Sequence, residues 1–141
     1  MKIGVIGLGY WGPNLVRNFL AHKDVKKVIA CDIRETRLKS IKDKFPSAEL
    51  TTDCSSIIKG DCDIVVISTP VDTHHSIAKK ALESGKHIWV EKPFTSSSEE
   101  AEELIEIAES KNLKIFVDHT FVYNGAVQKI KELIDKGELG N

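Results

Sequence analysis

The chain has 141 residues, the length of one domain, and a chain of that size can bury roughly 70% of its unfolded surface around one core. Hydrophobic residues make up 41% and charged residues 29%, an ordinary globular composition that argues against disorder. The 20 basic and 21 acidic residues leave a net charge of -1 and are mixed along the chain, so no basic stripe could neutralise phosphates and we expect no nucleic-acid partner.

The cysteines and the N-terminus indicate a compartment. Cys31, Cys54 and Cys62 are odd in number and lack the paired spacing of metal ligands, so we expect reduced thiols and no metal site. The chain opens without a secretory signal and contains no apolar stretch long enough to cross a bilayer. We therefore expect a cytoplasmic protein without a membrane partner.

Short apolar runs alternate with segments of helical spacing along the chain. Five runs have the length and composition of buried strands, and a sixth is weaker. They cover residues 3–6, 28–31, 64–67, 88–90 and 115–117, with the weaker run at 48–51. Strands that are apolar throughout must be covered on both faces, which is typical of a parallel sheet with helical crossovers. The predicted fold is an α/β domain with a doubly wound, mostly parallel sheet.

The segments between these runs carry apolar stripes that can each cover one face of the sheet. Ile77, Ala78, Ala81 and Leu82 form one such stripe, and residues 98–110 form another behind a serine-rich start that suits a helix N-terminus. The last amphipathic helix contains Val127, Ile130 and Ile134, and residues 137–141 add no further strand. An α/β domain that closes on such a helix is expected to be one module of a longer protein.

The loop after the first run matches the fingerprint of dinucleotide-binding proteins. It reads Gly7-Leu8-Gly9-Tyr10-Trp11-Gly12 and opens the first helix. Gly7 permits a tight turn, Gly9 lets the backbone approach a pyrophosphate, and Gly12 lets helix and strand pack closely. The free N–H groups of the helix start would then face the phosphates. The alternative is an ordinary strand-to-helix turn, which the same glycines also allow.

An acidic residue follows at the end of the second run. Asp32 stands about 20 residues after the last glycine, where a carboxylate can bind the ribose hydroxyls of adenosine and would repel a 2′-phosphate. This favours NAD over NADP, although Arg34 and Arg37 could accept a 2′-phosphate if they turn inward. The alternative role of Asp32 is the N-cap of a helix over residues 34–44.

Thr69 and Pro70 end the third strong run. In the usual order of such a sheet this strand lies beside the first, and the crevice between them is where ligands bind. The pair is therefore expected to line the cofactor cleft. A proline that merely marks the exit from a strand is the simpler interpretation.

The sequence resembles the glucose-fructose oxidoreductase, inositol dehydrogenase and rhizopine-catabolism family, Gfo/Idh/MocA, over essentially the whole chain. Four markers in the same order carry the resemblance: Gly7-Leu8-Gly9-Tyr10-Trp11-Gly12-Pro13-Asn14, then Ser68-Thr69-Pro70 with His74, then Glu91-Lys92-Pro93, and finally Lys131-Glu132-Leu133-Ile134 with Gly137 to Gly140. The resemblance implies a Rossmann NAD(P)-binding domain in residues 1–120. Residues 121–141 would begin the connection to a C-terminal substrate domain, mostly antiparallel, that the 141 residues do not include.

The resemblance also implies roles for individual residues. Glu91 would hold the nicotinamide-side ribose, Lys92 would be the catalytic lysine at the substrate hydroxyl, and Pro93 would follow a cis peptide bond. An ammonium at that hydroxyl can bind the developing alkoxide or relay its proton. Without the resemblance, a lysine at this place would be read as solvated. Lys92 is assigned to the cofactor as well, and the further residues assigned to it are Tyr10, Trp11, Ile33, Arg34 and His74. His119 is assigned to the substrate together with Lys92.

These expectations define one leading function and two alternatives. The leading one is an NAD-dependent oxidoreductase that transfers a hydride between nicotinamide and a hydroxyl carbon of a sugar, with resemblance to members that act on nucleotide-linked sugars. One alternative is a non-catalytic dinucleotide-binding or redox-sensing module. The other is an S-adenosylmethionine methyltransferase, which the glycine spacing disfavours. Apolar surface near Phe94, Phe121 and Tyr123 predicts a homo-oligomer.

Overall fold

All six predicted apolar runs are strands of one sheet in the computed structural model, which describes residues 1–140. The strands lie side by side in the order β3-β2-β1-β4-β5-β6, and every neighbouring pair is parallel. Their bounds are β1 Lys2–Ile6, β2 Lys27–Cys31, β3 Glu49–Thr51, β4 Ile64–Ile67, β5 His87–Val90 and β6 Ile115–Val117. The predicted doubly wound, parallel α/β fold is confirmed, including the weaker third strand.

Six α-helices connect or follow the strands within residues 1–140. They are α1 Gly12–Ala21, α2 Glu35–Lys44, α3 Cys54–Lys59, α4 His74–Glu83, α5 Ser98–Ser110 and α6 Gly125–Asp135. Side chains cap three of them, because Asp53, Ser97 and Asn124 each accept a hydrogen bond from a backbone N–H of the first turn of α3, α5 and α6. Two short 3-10 helices, Val71–Thr73 and Thr120–Tyr123, lie after β4 and β6.

Apolar side chains fill both faces of the sheet. One cluster contains Ile3, Val5 and Val66 with residues of α1 and α2, and the other contains Val65 and Ile67 with residues of α3, α4 and α5. Successive residues of a strand point to opposite faces, so a strand that is buried on both sides must be apolar at every position. The uninterrupted apolar runs of β1 and β4 are therefore explained by their central place in the sheet.

The strand order changes direction between β1 and β4. From β1 the chain continues outward to β2 and β3, and from β4 it continues outward to β5 and β6. A crevice opens at such a switch point beyond the carboxyl ends of the strands, and ligands of doubly wound sheets bind there. The segments that begin at Gly7, Asp32, Ser68, Glu91 and Asp118 all leave the sheet at this edge.

The C-terminal segment lies apart from the sheet. The predicted last helix is present as α6, but Val127, Ile130 and Ile134 on its apolar stripe are 40%, 52% and 56% exposed. Its neighbours are the residues of the preceding 3-10 helix. The division at residue 120 stays a prediction, and Asn141 lies outside the described residues. Among residues 1–140, no helix is both long enough and apolar enough to span a bilayer.

Candidate cofactor-binding and catalytic site

The glycine loop is joined to both neighbouring strands. Gly7 leaves β1 with a φ of +96°, and its N–H donates to the carbonyl oxygen of Cys31 at 2.8 Å. The Ser68 hydroxyl donates to the carbonyl oxygen of Gly7 at 2.6 Å. A side-chain carbon on Gly7 would lie 2.6 Å from the Ser68 carbonyl oxygen, so both the φ angle and the space require glycine.

Glycine occupies positions 9 and 12 for two different reasons. A side-chain carbon on Gly12 would lie 2.2 Å from the carbonyl oxygen of Gly7, so α1 packs against the loop only because Gly12 has no side chain. On Gly9, the same carbon would meet only the Arg37 guanidinium among the described residues, at 3.7 Å. The fold itself does not need glycine at position 9. The space above Gly9 fits the close approach of a pyrophosphate.

The start of α1 leaves the Gly12 N–H without a hydrogen-bond partner among the described residues, since Pro13 has no N–H and the Asn14 N–H donates to the Trp11 carbonyl oxygen at 2.9 Å. Trp11 occupies the N-cap position, and no side chain within residues 1–140 caps this helix. The first backbone N–H groups of a helix have no partner inside the helix and carry the positive end of its dipole. Tyr10 and Trp11 flank the loop with their rings 5.1 Å apart and perpendicular, and their side chains are 84% and 47% exposed. An anion at this helix start would meet the Gly12 N–H and the positive end of the helix dipole.

Asp32 is buried beside the loop and is fully hydrogen-bonded. One carboxylate oxygen accepts from the Leu8 N–H at 2.8 Å and the other from the Arg34 N–H at 2.9 Å. The Arg37 Nη1 lies 3.1 Å from the first of these oxygens. Burial acts to raise the pKa of Asp32, but the two backbone donors and the Arg37 guanidinium outweigh it, so the pKa lies below its usual value. The carboxylate is therefore held ionised at the edge of the crevice.

The alternative role of Asp32 as a helix N-cap is wrong. Helix α2 begins at Glu35, and Arg34 occupies its N-cap position without a side-chain hydrogen bond. Asp32 precedes the cap by two residues and bonds the Arg34 N–H in a local turn. Ile33 between them is 87% exposed. Asp32, Ile33 and Arg34 thus form the rim of the crevice on the β2 side.

His74 connects the turns that follow β4 and β5. It is only 1% exposed, and its ring lies against the carbonyl oxygens of Thr69, 2.8 Å from Nε2, and Pro93, 3.0 Å from Nδ1. The sequence predicts a cofactor contact for His74. The structure encloses its ring and engages both nitrogens within the protein, which makes it a support beneath the cleft. Thr69 and Pro70 themselves lie at the rim of the crevice. Thr69 is half-buried and Pro70 is exposed.

Glu91 and Lys92 follow β5 at the far side of the crevice. The Lys92–Pro93 peptide bond is cis, as the resemblance implied. The Glu91 side chain is buried, and the backbone N–H of Glu91 donates to the Ile67 carbonyl oxygen at 2.9 Å. Lys92 is exposed at the next position. A buried carboxyl group and an accessible ammonium are thus adjacent in sequence at the end of one strand.

Asp118 is a functional candidate that the sequence did not single out as a site residue. Val90 of β5 pairs with Val117 of β6, so Glu91 and Asp118 form the next cross-strand pair. Burial raises the pKa of Glu91, and the negative charge of Asp118 raises it further, against a smaller opposing effect of Lys92. The strand register brings these carboxyl groups together, and 26 intervening residues hide this pairing in the sequence.

A cavity of 460 Å³ lies beside Lys92. Pro93, His119, Phe121 and other residues of the segment after β6 line it, and its walls are mostly apolar. The two residues predicted to contact the substrate, Lys92 and His119, therefore border one cavity. His75 lies elsewhere and bonds Glu103 of α5 through Nε2 at 2.6 Å.

Comparison with known proteins agrees with this arrangement. The model of the Gfo/Idh/MocA oxidoreductase family, NAD-binding Rossmann fold, matches residues 1–119. The 1-carboxy-3-chloro-3,4-dihydroxycyclo hexa-1,5-diene dehydrogenase of Comamonas testosteroni is 34% identical over 99% of this chain and 36% of its own length. The scyllo-inositol 2-dehydrogenase (NADP(+)) of Bacillus subtilis strain 168 is 28% identical over 99% of this chain and 38% of its own length.

A solved structure has the same fold. Scyllo-inositol dehydrogenase from Lactobacillus casei, determined with bound NAD(H) and scyllo-inositol, superimposes with a TM-score of 0.87 at 26% identity over 100% of this chain and 42% of that chain. The chain belongs to the Gfo/Idh/MocA oxidoreductase family and comprises its NAD-binding Rossmann domain. It spans 36% to 42% of the length of these relatives.

Proposed function

We propose that this chain is the cofactor-binding domain of an NAD-dependent oxidoreductase that transfers a hydride between nicotinamide and a hydroxyl-bearing carbon of a sugar or related polyol. The observation that carries the proposal is the crevice itself. The uncapped start of α1 and the ionised Asp32 lie on its first side, and Glu91 and Lys92 lie on its second. This is the distribution of groups that an extended dinucleotide needs from its adenosine end to its nicotinamide end.

The residues present fit NAD. The space at Gly9 and the free Gly12 N–H at the α1 start suit a pyrophosphate, and the carboxylate of Asp32 suits the ribose hydroxyls of adenosine. A bound nicotinamide would supply the hydride donor or acceptor. The protein contributes position and electrostatics around it. The non-catalytic dinucleotide-binding module remains the alternative, and it gives Lys92 no task.

Lys92 is the proposed catalytic residue. A substrate alcohol that loses a hydride must also lose its hydroxyl proton, and an ammonium at the oxygen stabilises the developing negative charge. Lys92 borders the cavity that His119 also lines, which places a cation and an imidazole beside the same space. We propose that the substrate hydroxyl lies against the Lys92 Nζ, with His119 as a second polar contact.

The substrate class rests on the relatives. Two of them are named as scyllo-inositol dehydrogenases, and one was solved with that polyol bound. We propose a cyclic polyol or sugar, free or nucleotide-linked, as the substrate. The family's substrate domain would supply much of the remaining pocket, so turnover is expected of the chain joined to such a domain.

Titration of the chain with NADH tests the proposal that this domain binds the cofactor. We expect saturable binding below millimolar concentration, seen as a change in nicotinamide fluorescence. Gly9→Val should weaken that binding by about tenfold or more, because the side chain would enter the space of the pyrophosphate, while a Cβ at this position meets no protein backbone within 4 Å. Gly125→Ala is the matched control, since a side chain there meets nothing within 4 Å. A folded chain that shows no saturation would overturn the proposal.

A further inference from the structure

Glu91 and Asp118 occupy the same step beyond two neighbouring strands. Val90 pairs with Val117 at the ends of β5 and β6, and the Asp118 N–H donates to the Val90 carbonyl oxygen at 2.9 Å. The parallel ladder therefore continues to the two acidic residues and places them one strand spacing, about 5 Å, apart. Glu91 is 8% exposed and Asp118 is half-buried.

The carboxyl groups of Glu91 and Asp118 are in hydrogen-bond contact. An ionised carboxylate has acceptors but no donor, so a hydrogen bond between two carboxyl groups requires a proton on one of them. Burial favours the uncharged form, and the pKa of the buried Glu91 is raised first by burial and then by Asp118. The pair therefore holds one proton and one negative charge, where two separate residues would carry two negative charges.

Lys92, His119 and His74 lie on the segments around the pair. The backbone N–H and the ammonium of Lys92 oppose the rise in the pKa of Glu91, and their effect is smaller than that of Asp118. His119 follows Asp118 at an exposed position, and His74 of α4 has its ring nitrogens on carbonyl oxygens. Among these neighbours, Asp118 therefore has the largest influence on the proton of Glu91.

The pair joins two segments that border one cavity. Lys92 and Pro93 follow Glu91, His119 follows Asp118, and all three line the cavity of 460 Å³. With one proton, a hydrogen bond connects the segments after β5 and β6. Without it, two negative charges in contact repel each other, which favours separation of the segments. The second charge would also lie beside an anionic dinucleotide.

We propose that Asp118 is a positioning residue that keeps one proton on the Glu91–Asp118 pair, and that the singly protonated pair is the state of this domain that binds the nicotinamide end of the dinucleotide. In this state one carboxylate charge remains to accept a hydrogen bond from the nicotinamide-side ribose. At higher pH the proton leaves to solvent, and cofactor binding takes it up again. The inference rests on the proposed function, because Glu91 lies in the same crevice.

Titration of the full chain with NAD⁺ over a range of about pH 5 to pH 9 tests the inference. NAD⁺ is the probe because it is stable in mild acid, and tryptophan fluorescence reports binding because Trp11 flanks the glycine loop. We expect the dissociation constant to rise by about tenfold or more across this range, since each pH unit above the pKa of Glu91 lowers the protonated population about tenfold.

Asp118→Asn separates this linkage from a merely structural role. The asparagine amide can donate to the Glu91 carboxylate in place of the shared proton, and it removes one negative charge. The variant should therefore bind NAD⁺ independently of pH, with an affinity within about threefold of that of the parent in mild acid. Asp43→Asn, at an exposed position of α2, is the matched control and should keep the pH profile of the parent.

Calorimetric titrations in buffers with different heats of ionisation count the proton directly. The parent should take up a proton when it binds NAD⁺ in the upper part of the pH range, because the fall of affinity with pH and the uptake of protons are linked. Asp118→Asn should take up none.

The results distinguish the two proposals. A parent affinity that does not fall as pH rises, equal proton uptake in parent and Asp118→Asn, or a change of affinity by the same factor at every pH in Asp118→Asn would overturn the inference and leave the proposed function intact. Absence of NAD⁺ binding to the folded chain at every pH would overturn the proposed function instead.

Discussion

The Nδ1 of His74 lies 3.0 Å from the carbonyl oxygen of Pro93, and its Nε2 lies 2.8 Å from that of Thr69. One buried imidazole thus connects the turn after β4 with the turn that carries Lys92. Both partners are acceptors, so both hydrogen bonds form only when each ring nitrogen carries a proton, and a neutral ring makes one of them. His74 positions the two turns on the Lys92 side of the crevice.

The first prediction concerns this support. His74→Ala should lower the free energy of unfolding by about 2–4 kcal/mol, because it removes a hydrogen-bond partner of the Thr69 and Pro93 carbonyl groups and leaves a cavity in place of the buried ring. Urea unfolding measures the change. His75→Ala is the control and should cost about 1 kcal/mol or less, since His75 bonds Glu103 near the surface. Equal losses in the two variants would contradict the support role of His74.

The second prediction concerns the carboxyl pair of Glu91 and Asp118. The pKa of Glu91 is raised above its usual value of 4.5, so above that pH the folded chain keeps a proton that the unfolded chain releases. The free energy of unfolding should therefore fall as pH rises from 4.5 to the raised pKa of Glu91 in the folded chain. Asp118→Asn removes the negative charge beside Glu91 and should make the chain more stable at pH 7 than the parent, with the gain vanishing near pH 4.

Unfolding curves between pH 4 and pH 8 check the second prediction. Asp72→Asn is the control, because Asp72 is exposed in the 3-10 helix after β4 and should leave the pH profile unchanged. A uniform gain or loss of stability at every pH in Asp118→Asn would show that the charge of Asp118 does not act on Glu91.

The third prediction concerns Asp32. Its pKa is lowered, so its contribution to stability is full above its usual value of 3.8 and is lost as pH falls through the lower folded-state pKa. Asp32→Asn should lower the free energy of unfolding at pH 7, and in strong acid its free energy of unfolding should approach that of the parent. It should also weaken NADH binding by about tenfold, because the ribose hydroxyls lose a charged acceptor. Calorimetric titration with NADH measures this loss.

Asp61→Asn serves as the comparison for Asp32, since Asp61 is exposed and pairs with Lys2 far from the crevice. Its NADH affinity should equal that of the parent. Equal affinities of the Asp32 and Asp61 variants would mean that Asp32 does not contact the ribose.

The fourth prediction concerns self-association. Phe121 and Tyr123 are 74% and 67% exposed, and they continue into the exposed apolar stripe of α6. Apolar patches of this kind tend to be covered by association. We expect light scattering to show a mass above that of the monomer at high concentration, and Phe121→Ser to reduce it. A parent chain that remains monomeric at every concentration would contradict the prediction.

The sequence predicted the fold more completely than the site. Apolar runs reveal β1 and β4 because both faces of a central strand are buried, and the short β3 at the edge of the sheet gives a correspondingly weak signal. The glycine loop was predictable because Gly7 and Gly12 meet local backbone constraints. Elements near each other in sequence leave such local signatures.

The parts of the site that depend on long-range packing were not predictable. The pairing of Glu91 with Asp118 follows from the register of β5 and β6, and the enclosure of His74 follows from the approach of two turns. The inward turn of Arg37 is a side-chain orientation, which a sequence leaves open. Their positions after strand ends and the family resemblance indicated that these residues lie near the crevice, but neither could assign which of them face it.

Amide NMR of the chain during titration with NADH tests the central claim most directly, because it locates the cofactor residue by residue. We predict saturable shifts at the amides of Gly9, Gly12, Ile33 and Lys92, with little change in the groove between α3 and α4 that Ser55 and Lys80 line. Shifts confined to that groove, or no saturable shifts in the folded chain, would contradict the assignment of the crevice as the NAD site.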